Sequence, residues 1–124
     1  MEAHGTRIEG ISAVTLVTAD MAEAVSFYLL LGFELTHGGV SARFTSFRAG
    51  TGFINLELRA NRRAPNTTWG RVVLWVDDVD AVYRRAVVAG LAPVTSPTDA
   101  PWGERYFHLR DPDGHELSFA RPLP

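Results

Sequence analysis

"AVTLVTAD", residues 13–20, returns 58 residues later as "RVVLWVDD", residues 71–78. Each is a short β-rich run closed by an acid, and each leads into a segment whose apolar residues recur at helical spacing. Asp20 precedes Glu23 by three residues, a capping-box spacing, ahead of "AVSFYLLLGF". Asp78 or Asp80 is placed to cap "AVYRRAVVAGL" in the same way. Both helical stretches stop at a glycine, Gly32 and Gly90, and an apolar residue follows each, Phe33 and Leu91. The offset thus survives a complete strand, helix and stop.

Beyond each stop the period changes. "FELTHGG", "SARFTSFRAG" and "GFINLELRA" have the form of three strands separated by glycine-rich turns. The second half repeats this with "LAPVTSPTDAPWG", "ERYFHLR" and "HELSFA", where Pro93 and Pro97 predict a short first strand because proline disfavours a central position. The expected organisation is α+β, with a βαβββ module over 11–60, a polar linker over 61–70 and a second βαβββ module over 71–122, together one domain. A module of this size covers one sheet face with its helix and leaves the other bare, so the modules must pair, within one chain or between chains.

Bulk composition narrows the function classes. The 124 residues are 46% hydrophobic and include no cysteine, which removes disulfides, thiolate metal sites and cysteine nucleophiles. Twelve basic and fourteen acidic residues give a formal charge of -2, and the longest basic runs are the pairs Arg62-Arg63 and Arg84-Arg85. Nucleic-acid binding needs a clustered positive footprint, so none is expected. The polar N-terminus lacks the pattern of a signal peptide, and no stretch approaches the roughly 20 apolar residues of a membrane span. A soluble cytoplasmic protein is expected.

Strand alternation assigns faces. Val72, Leu74 and Val76 form the helix-facing set of the repeated strand, which leaves Arg71 and Trp75 on the open face. In "GFINLEL", Ile54, Leu56 and Leu58 face the helix, while Asn55 and Glu57 face outward. If "DPDGH" connects two antiparallel strands, His108 lies opposite Ser118, Arg110 opposite Glu116 and Tyr106 opposite Ala120. Phe107, Leu109, Leu117 and Phe119 then make the buried stripe. The alternative register would bury Arg110 and Glu116 without compensation.

The tandem modules, "VVLWVDDVDAV" and above all "WGERYFHLRDPDGHELSFARP" resemble the vicinal oxygen chelate superfamily, which contains glyoxalase I, extradiol dioxygenases and bleomycin-resistance proteins. The resemblance extends from about Ile11 to Pro122. It implies that the modules form a curled mixed sheet around a concave cleft, with the helices outside, in an assembly often completed by dimerisation; a homodimer is expected. It also implies four metal-ligand positions, which fall on Ala13, Glu57, Arg71 and Ser118. Only Glu57 retains a ligand side chain, since alanine has no donor and guanidinium repels a cation. No metal and no cofactor are expected. Arg71 either contacts a polar ligand or pairs with Glu57 and closes the old site. A rebuilt metal site using His108 with Glu57 or Glu116 is the minor alternative.

The spacing of Pro101, Trp102, Gly103, Arg105, Phe107, Leu109, Arg110, Asp111, Pro112 and Gly114 is most similar to the metal-free, bleomycin-resistance-type branch. The resemblance therefore implies sequestration of a small aromatic or polar natural product. Trp75, Arg71, Glu57, Trp102, Tyr106, His108, Phe47 and Ser118 are the candidate ligand contacts. The alternative is a glyoxalase- or dioxygenase-like lyase or isomerase acting on a small metabolite, with Glu57, His108 and Tyr106 as candidate proton-transfer groups. Binding without turnover is the favoured expectation, because no nucleophile–base–orienter set is visible in the strand pattern.

Overall fold

A computed structural model describes residues 5–59 and 69–124. His4, the Arg62-Arg63 pair and most of the linker expected over 61–70 lie outside the described residues. The first module comprises β1 (Ala13–Thr18), α1 (Met21–Leu30), β2 (Glu34–His37), β3 (Phe44–Ala49) and β4 (Gly52–Leu58). The second comprises β5 (Arg71–Trp75), α2 (Val79–Val88), β6 (Thr98–Asp99), β7 (Glu104–Arg110) and β8 (Glu116–Pro122). Each is β-α-β-β-β, as the repeat predicts. β6 is only two residues long, and Pro97 immediately before it supplies the reason.

The helix starts follow from their acids. Asp20 has extended backbone geometry, and its carboxylate accepts the backbone N–H of Glu23 at 3.0 Å. Asp78 caps α2 equivalently through the N–H of Ala81, also at 3.0 Å, which resolves the choice between Asp78 and Asp80.

In each sheet the first strand runs parallel to the last and the others are antiparallel, giving the orders β1-β4-β3-β2 and β5-β8-β7-β6. The His108–Ser118, Arg110–Glu116 and Tyr106–Ala120 pairings occur in the expected register. The curled sheet with a concave cleft does not. The chain forms two separate, open four-stranded sheets, and no sheet is curled or closed.

Packing explains this difference. Phe47 and Leu56 from the first sheet, Phe107 and Phe119 from the second, and Tyr28 from α1 belong to one buried apolar cluster. Phe33 lies edge-on to Phe119, with ring centroids 6.5 Å apart. The modules therefore meet through their helix-side faces, and the helices contribute to the junction instead of lining the outside of a curl. The polar faces point away from the shared core. Burying one continuous apolar interior is worth roughly 25 cal/mol per Å² removed from water, a gain unavailable to either bare module.

The connection "DPDGH" ties the modules together with polar bonds. Asp111 is buried; one carboxylate oxygen accepts the Tyr28 hydroxyl at 2.8 Å, and the other accepts the backbone N–H groups of Asp113 and His115, each at 2.9 Å. Asp113 accepts the N–H of Ala19 at 2.9 Å. The buried His115 ring has Nε2 2.8 Å from the Val17 carbonyl and Nδ1 3.0 Å from the Trp69 indole nitrogen. Because indole only donates, Nδ1 accepts and Nε2 carries the proton toward Val17.

Candidate functional site

The outer face of the second sheet is a grid set by strand register. Its first row is Arg71, Glu116, Arg110; its second is Val73, Ser118, His108; its third is Trp75, Ala120, Tyr106. The central strand β8 is covered from both sides: Glu116, Ser118 and Ala120 are buried while Trp75 remains 62% exposed. Trp102, from the turn before β7, stacks on Tyr106 at 5.9 Å with rings 24° apart, and its indole donates to Glu104 at 3.2 Å. Tyr106 in turn contacts the His108 ring, 5.0 Å between centroids.

Alanine at position 120 matters for shape. Strands lie about 4.8 Å apart, so Trp75 and Tyr106 rise from backbones separated by roughly 10 Å with only a methyl group between them. Ala120 itself is only 1% exposed, so neighbouring side chains close over it, and the aromatic surface this row presents to a ligand is mainly that of Trp75.

Six of the eight expected contact residues are thus brought together: Arg71, Trp75, Trp102, Tyr106, His108 and Ser118. Two are not. Phe47 is fully buried against Tyr28 and Phe33 and fastens α1 to the first sheet. Glu57 lies on the first sheet, where its carboxylate pairs with Arg59 at 2.6 Å. Arg71 pairs instead with Glu116, with Nη2 3.1 Å from Oε2. Its partner is the carboxylate directly across in β8, a signal already present in the 71/116 strand pairing. Trp69, a second loop tryptophan, is bonded to His115 as described above.

Register also changes the first-module counterpart of Ser118. Ser118 pairs with Val73, two residues beyond Arg71, while Asn55 pairs with Thr15, two residues beyond Ala13. Asn55, not Glu57, is therefore its equivalent; Glu57 corresponds to Ala120. The four equivalent positions are Ala13, Asn55, Arg71 and Ser118, a set of methyl, amide, guanidinium and hydroxyl groups that does not fit a divalent cation. Among the described residues no group of three or more His, Cys, Asp or Glu is arranged to hold a metal ion. His108 does not converge with Glu57, so that rebuilt site is not formed.

His108 has the most altered environment on this face. Its Nδ1 is buried and has no hydrogen-bond partner. Burial first, and then the Arg71 charge, lower its pKa from the ordinary 6.5, against the opposing pull of Glu116. A lowered folded pKa means that the unfolded chain takes up the proton first as pH falls. The stability contributed by neutral His108 is therefore complete above 6.5 and lost as pH drops through the lower folded value. Replacement Arg71→Met is expected to raise the His108 titration midpoint, measured from the imidazole C–H resonances by NMR; an unmoved or lowered midpoint would refute the assignment of Arg71 as a perturbing charge.

A cavity of about 650 Å³ lies beside this grid along the edge of β5. Phe33, Glu34 and Arg48 of the first module and Val73 and Trp75 of the second contribute to it. Trp75 thus borders both the cavity and the aromatic row. Arg48 also lies over the Phe53 ring at 5.2 Å.

Two βαβββ modules without a fitting metal-ligand set, carrying an exposed aromatic and cationic sheet face, define a class of small two-module protein. The chain belongs to the Glyoxalase/Bleomycin resistance protein/Dioxygenase superfamily, whose family model matches residues 10–119. It resembles the crystal structure of TioX from Micromonospora sp. ML1, with 28% identity, TM-score 0.74, and coverage of 92% of this chain and 99% of that one. A bleomycin resistance determinant encoded on the transposon Tn5 shares the fold at 22% identity and TM-score 0.75, over 91% of this chain and 98% of that chain. An uncharacterized protein of Mycobacterium bovis is 46% identical over 50 residues, covering 40% of this chain and 33% of its own length. The match therefore spans only a third of that relative. No helix among the described residues is long and apolar enough to cross a membrane.

Proposed function

We propose that the protein binds and sequesters a small planar molecule on the outer face of its second sheet, without a metal ion and without turnover. The observation that carries this reading is the aromatic row, with Trp75 and Trp102 exposed and Tyr106 half-buried and stacked with Trp102 on the same sheet face. Aromatic side chains provide large contact areas, while His108 and Arg71 supply polar anchors. Likeness to TioX and to the bleomycin resistance determinant shows a shared fold, and the superfamily name spans both resistance proteins and enzymes. The side chains discriminate further: His108 and Ser118 face each other across β7 and β8, but among the described residues no base, nucleophile and orienting group form a connected set.

One open sheet face covers one side of a ligand. A homodimer in which a second copy covers the other side is the assembly this reading favours. The direct test is a fluorescence titration against a panel of fused-ring compounds, with the three tryptophans as reporters. Saturable quenching at one ligand per chain is expected, with the ligand recovered unchanged by mass spectrometry. Time-dependent conversion would overturn sequestration and establish an enzyme.

A further inference from the structure

We infer that the preferred ligand is an aromatic acid, its ring against the exposed Trp75 indole and its anionic group at Arg71 and Arg110. This inference rests on the binding reading and specifies the chemistry of the same face. The first row contains two guanidinium groups and one carboxylate, so its formal charge is +2 − 1 = +1. Glu116 is buried, with only 8% of its side chain exposed, while the Arg71 side chain is 47% exposed. The carboxylate is therefore held down in the sheet and its guanidinium partner is presented to solvent. Only one Arg71 nitrogen is engaged by Glu116, and a guanidinium has five N–H donors. Arg110 is exposed and makes no ion pair among the described residues. An exposed guanidinium with free N–H donors matches a carboxylate, sulfonate or phosphate oxygen pair.

Distance and polarity fix the orientation. Four residues of strand separate Arg71 from Trp75, about 13 Å between their backbones, which the long side chains reduce. The intervening row, Val73–Ser118–His108, carries no fixed charge and accommodates a short aliphatic connection. Beyond the aromatic row stands Glu104, whose carboxylate accepts the Trp102 indole. The face is consequently positive at one end and aromatic in the middle, and at the other end Glu104 and Asp77 offset Arg121. An anion is attracted to the Arg71–Arg110 end, so an aromatic acid binds in one direction.

A matched series separates the parts of this proposal: 4-(1-naphthyl)butanoate, its primary amide and the corresponding amine. Calorimetry and tryptophan quenching at low ionic strength should show the acid binding at least tenfold more tightly than the amide, and the amine more weakly still. The Arg71→Gln, Arg110→Gln double variant should erase the acid's advantage over the amide. Raising salt should weaken acid binding while sparing the amide. Equal affinity for acid and amide, or preference for the amine, overturns the inference of an acid and leaves the aromatic site intact. Failure of all three probes to bind overturns the aromatic-site reading together with it. Circular dichroism and urea unfolding of the double variant identify lost binding caused by unfolding; a folded variant retaining the tenfold preference also refutes the arginine assignment.

Discussion

Asp111→Ala is expected to remove about 3–5 kcal/mol of folding stability, the cost associated with stripping a charged acceptor from buried partners. The carboxylate accepts three bonds: one from the Tyr28 hydroxyl and two from backbone N–H groups of its own turn. Alanine leaves all three donors short of a partner in a region already closed to water, and each buried unsatisfied group costs roughly 1–3 kcal/mol before relaxation. A native domain has only about 5–15 kcal/mol to lose. The turn also places Asp113 against Ala19 and His115 against Val17, so its disruption loosens the contact between modules as well as one hairpin. Urea unfolding should show a large fall in midpoint, and hydrogen exchange should show early opening where Tyr28 meets the turn. Asp111→Asn distinguishes lost hydrogen bonding from lost charge. It retains an acceptor oxygen and removes the burial cost that pushes the Asp111 carboxyl above 3.8. A loss below about 1 kcal/mol is expected for asparagine; equal losses for alanine and asparagine would sink the hydrogen-bond account.

The linkage at this junction has a definite sign. Burial, followed by the nearby Asp111 charge, pushes the Tyr28 hydroxyl well above 10. Its neutral form is favoured by folding, so its contribution is complete below 10 and is lost as pH rises through the higher folded value. Asp111 is also raised, so its contribution is complete below 3.8 and lost as pH rises through its folded pKa. The carboxylate holds the junction geometrically even though its ionisation opposes burial, which is why alanine and asparagine should behave differently.

Local periodicity made much of this architecture legible. Alternating residues located the inner and outer faces of β5, β7 and β8, and the 58-residue repeat found both modules and both helix stops. The faces of β7 and β8 followed from the apolar stripe Phe107, Leu109, Leu117 and Phe119, which is buried; the cost of burying charge holds for exposed Arg110 but not for Glu116, which is buried and paired with Arg71. The sheet packing was less accessible. Tyr28 reaches Asp111 across 83 residues, Ala19 reaches Asp113 across 94, and His115 reaches Val17 across 98. Neither a helical nor a strand period encodes such contacts. "DPDGH" had the composition of a turn, and a turn it is, but its acids and histidine also join the modules.

Alternation along one strand at a time was enough to place side chains on the outer face. Trp75 and Arg71 project outward as alternation required, and the 106/108/110 series joins them through β8. Phe47 was placed at the site despite a local signal against it: it pairs with Ile54, a residue already assigned to the helix side, and neighbouring side chains in register share a face. The Glu57 assignment lacked the parallel β1–β4 register, without which the last strand of the module slides by two residues and keeps the same face. That shift preserves every inside–outside prediction while replacing asparagine by glutamate at the inferred ligand position. Periodicity is blind to it; only strand pairing separates the alternatives.

Trp75→Ala is expected to weaken binding of a planar ligand by about thirtyfold, equivalent to roughly 2 kcal/mol, the scale of an aromatic binding hot spot. Stability should change by less than about 0.5 kcal/mol because the ring is largely exposed. The indole supplies the exposed stacking surface of the row, while Ala120 beside it is buried and Tyr106 is half-buried. Removing the indole exposes one face of a bound ring while preserving the sheet beneath it. Trp75→Phe should recover part of the loss because it restores an aromatic surface of smaller area. Calorimetry gives the affinity ratio, and urea unfolding checks that the sheet survives. Unchanged affinity in folded Trp75→Ala would remove this row from the binding site. Loss of binding together with dissociation of a dimer would assign Trp75 to the contact between copies and defeat its assignment as a ligand wall. Reduced affinity at unchanged assembly state, with partial rescue by phenylalanine, is the outcome required by stacking: it makes the aromatic area itself, rather than the presence of a folded second module, the quantity that controls binding.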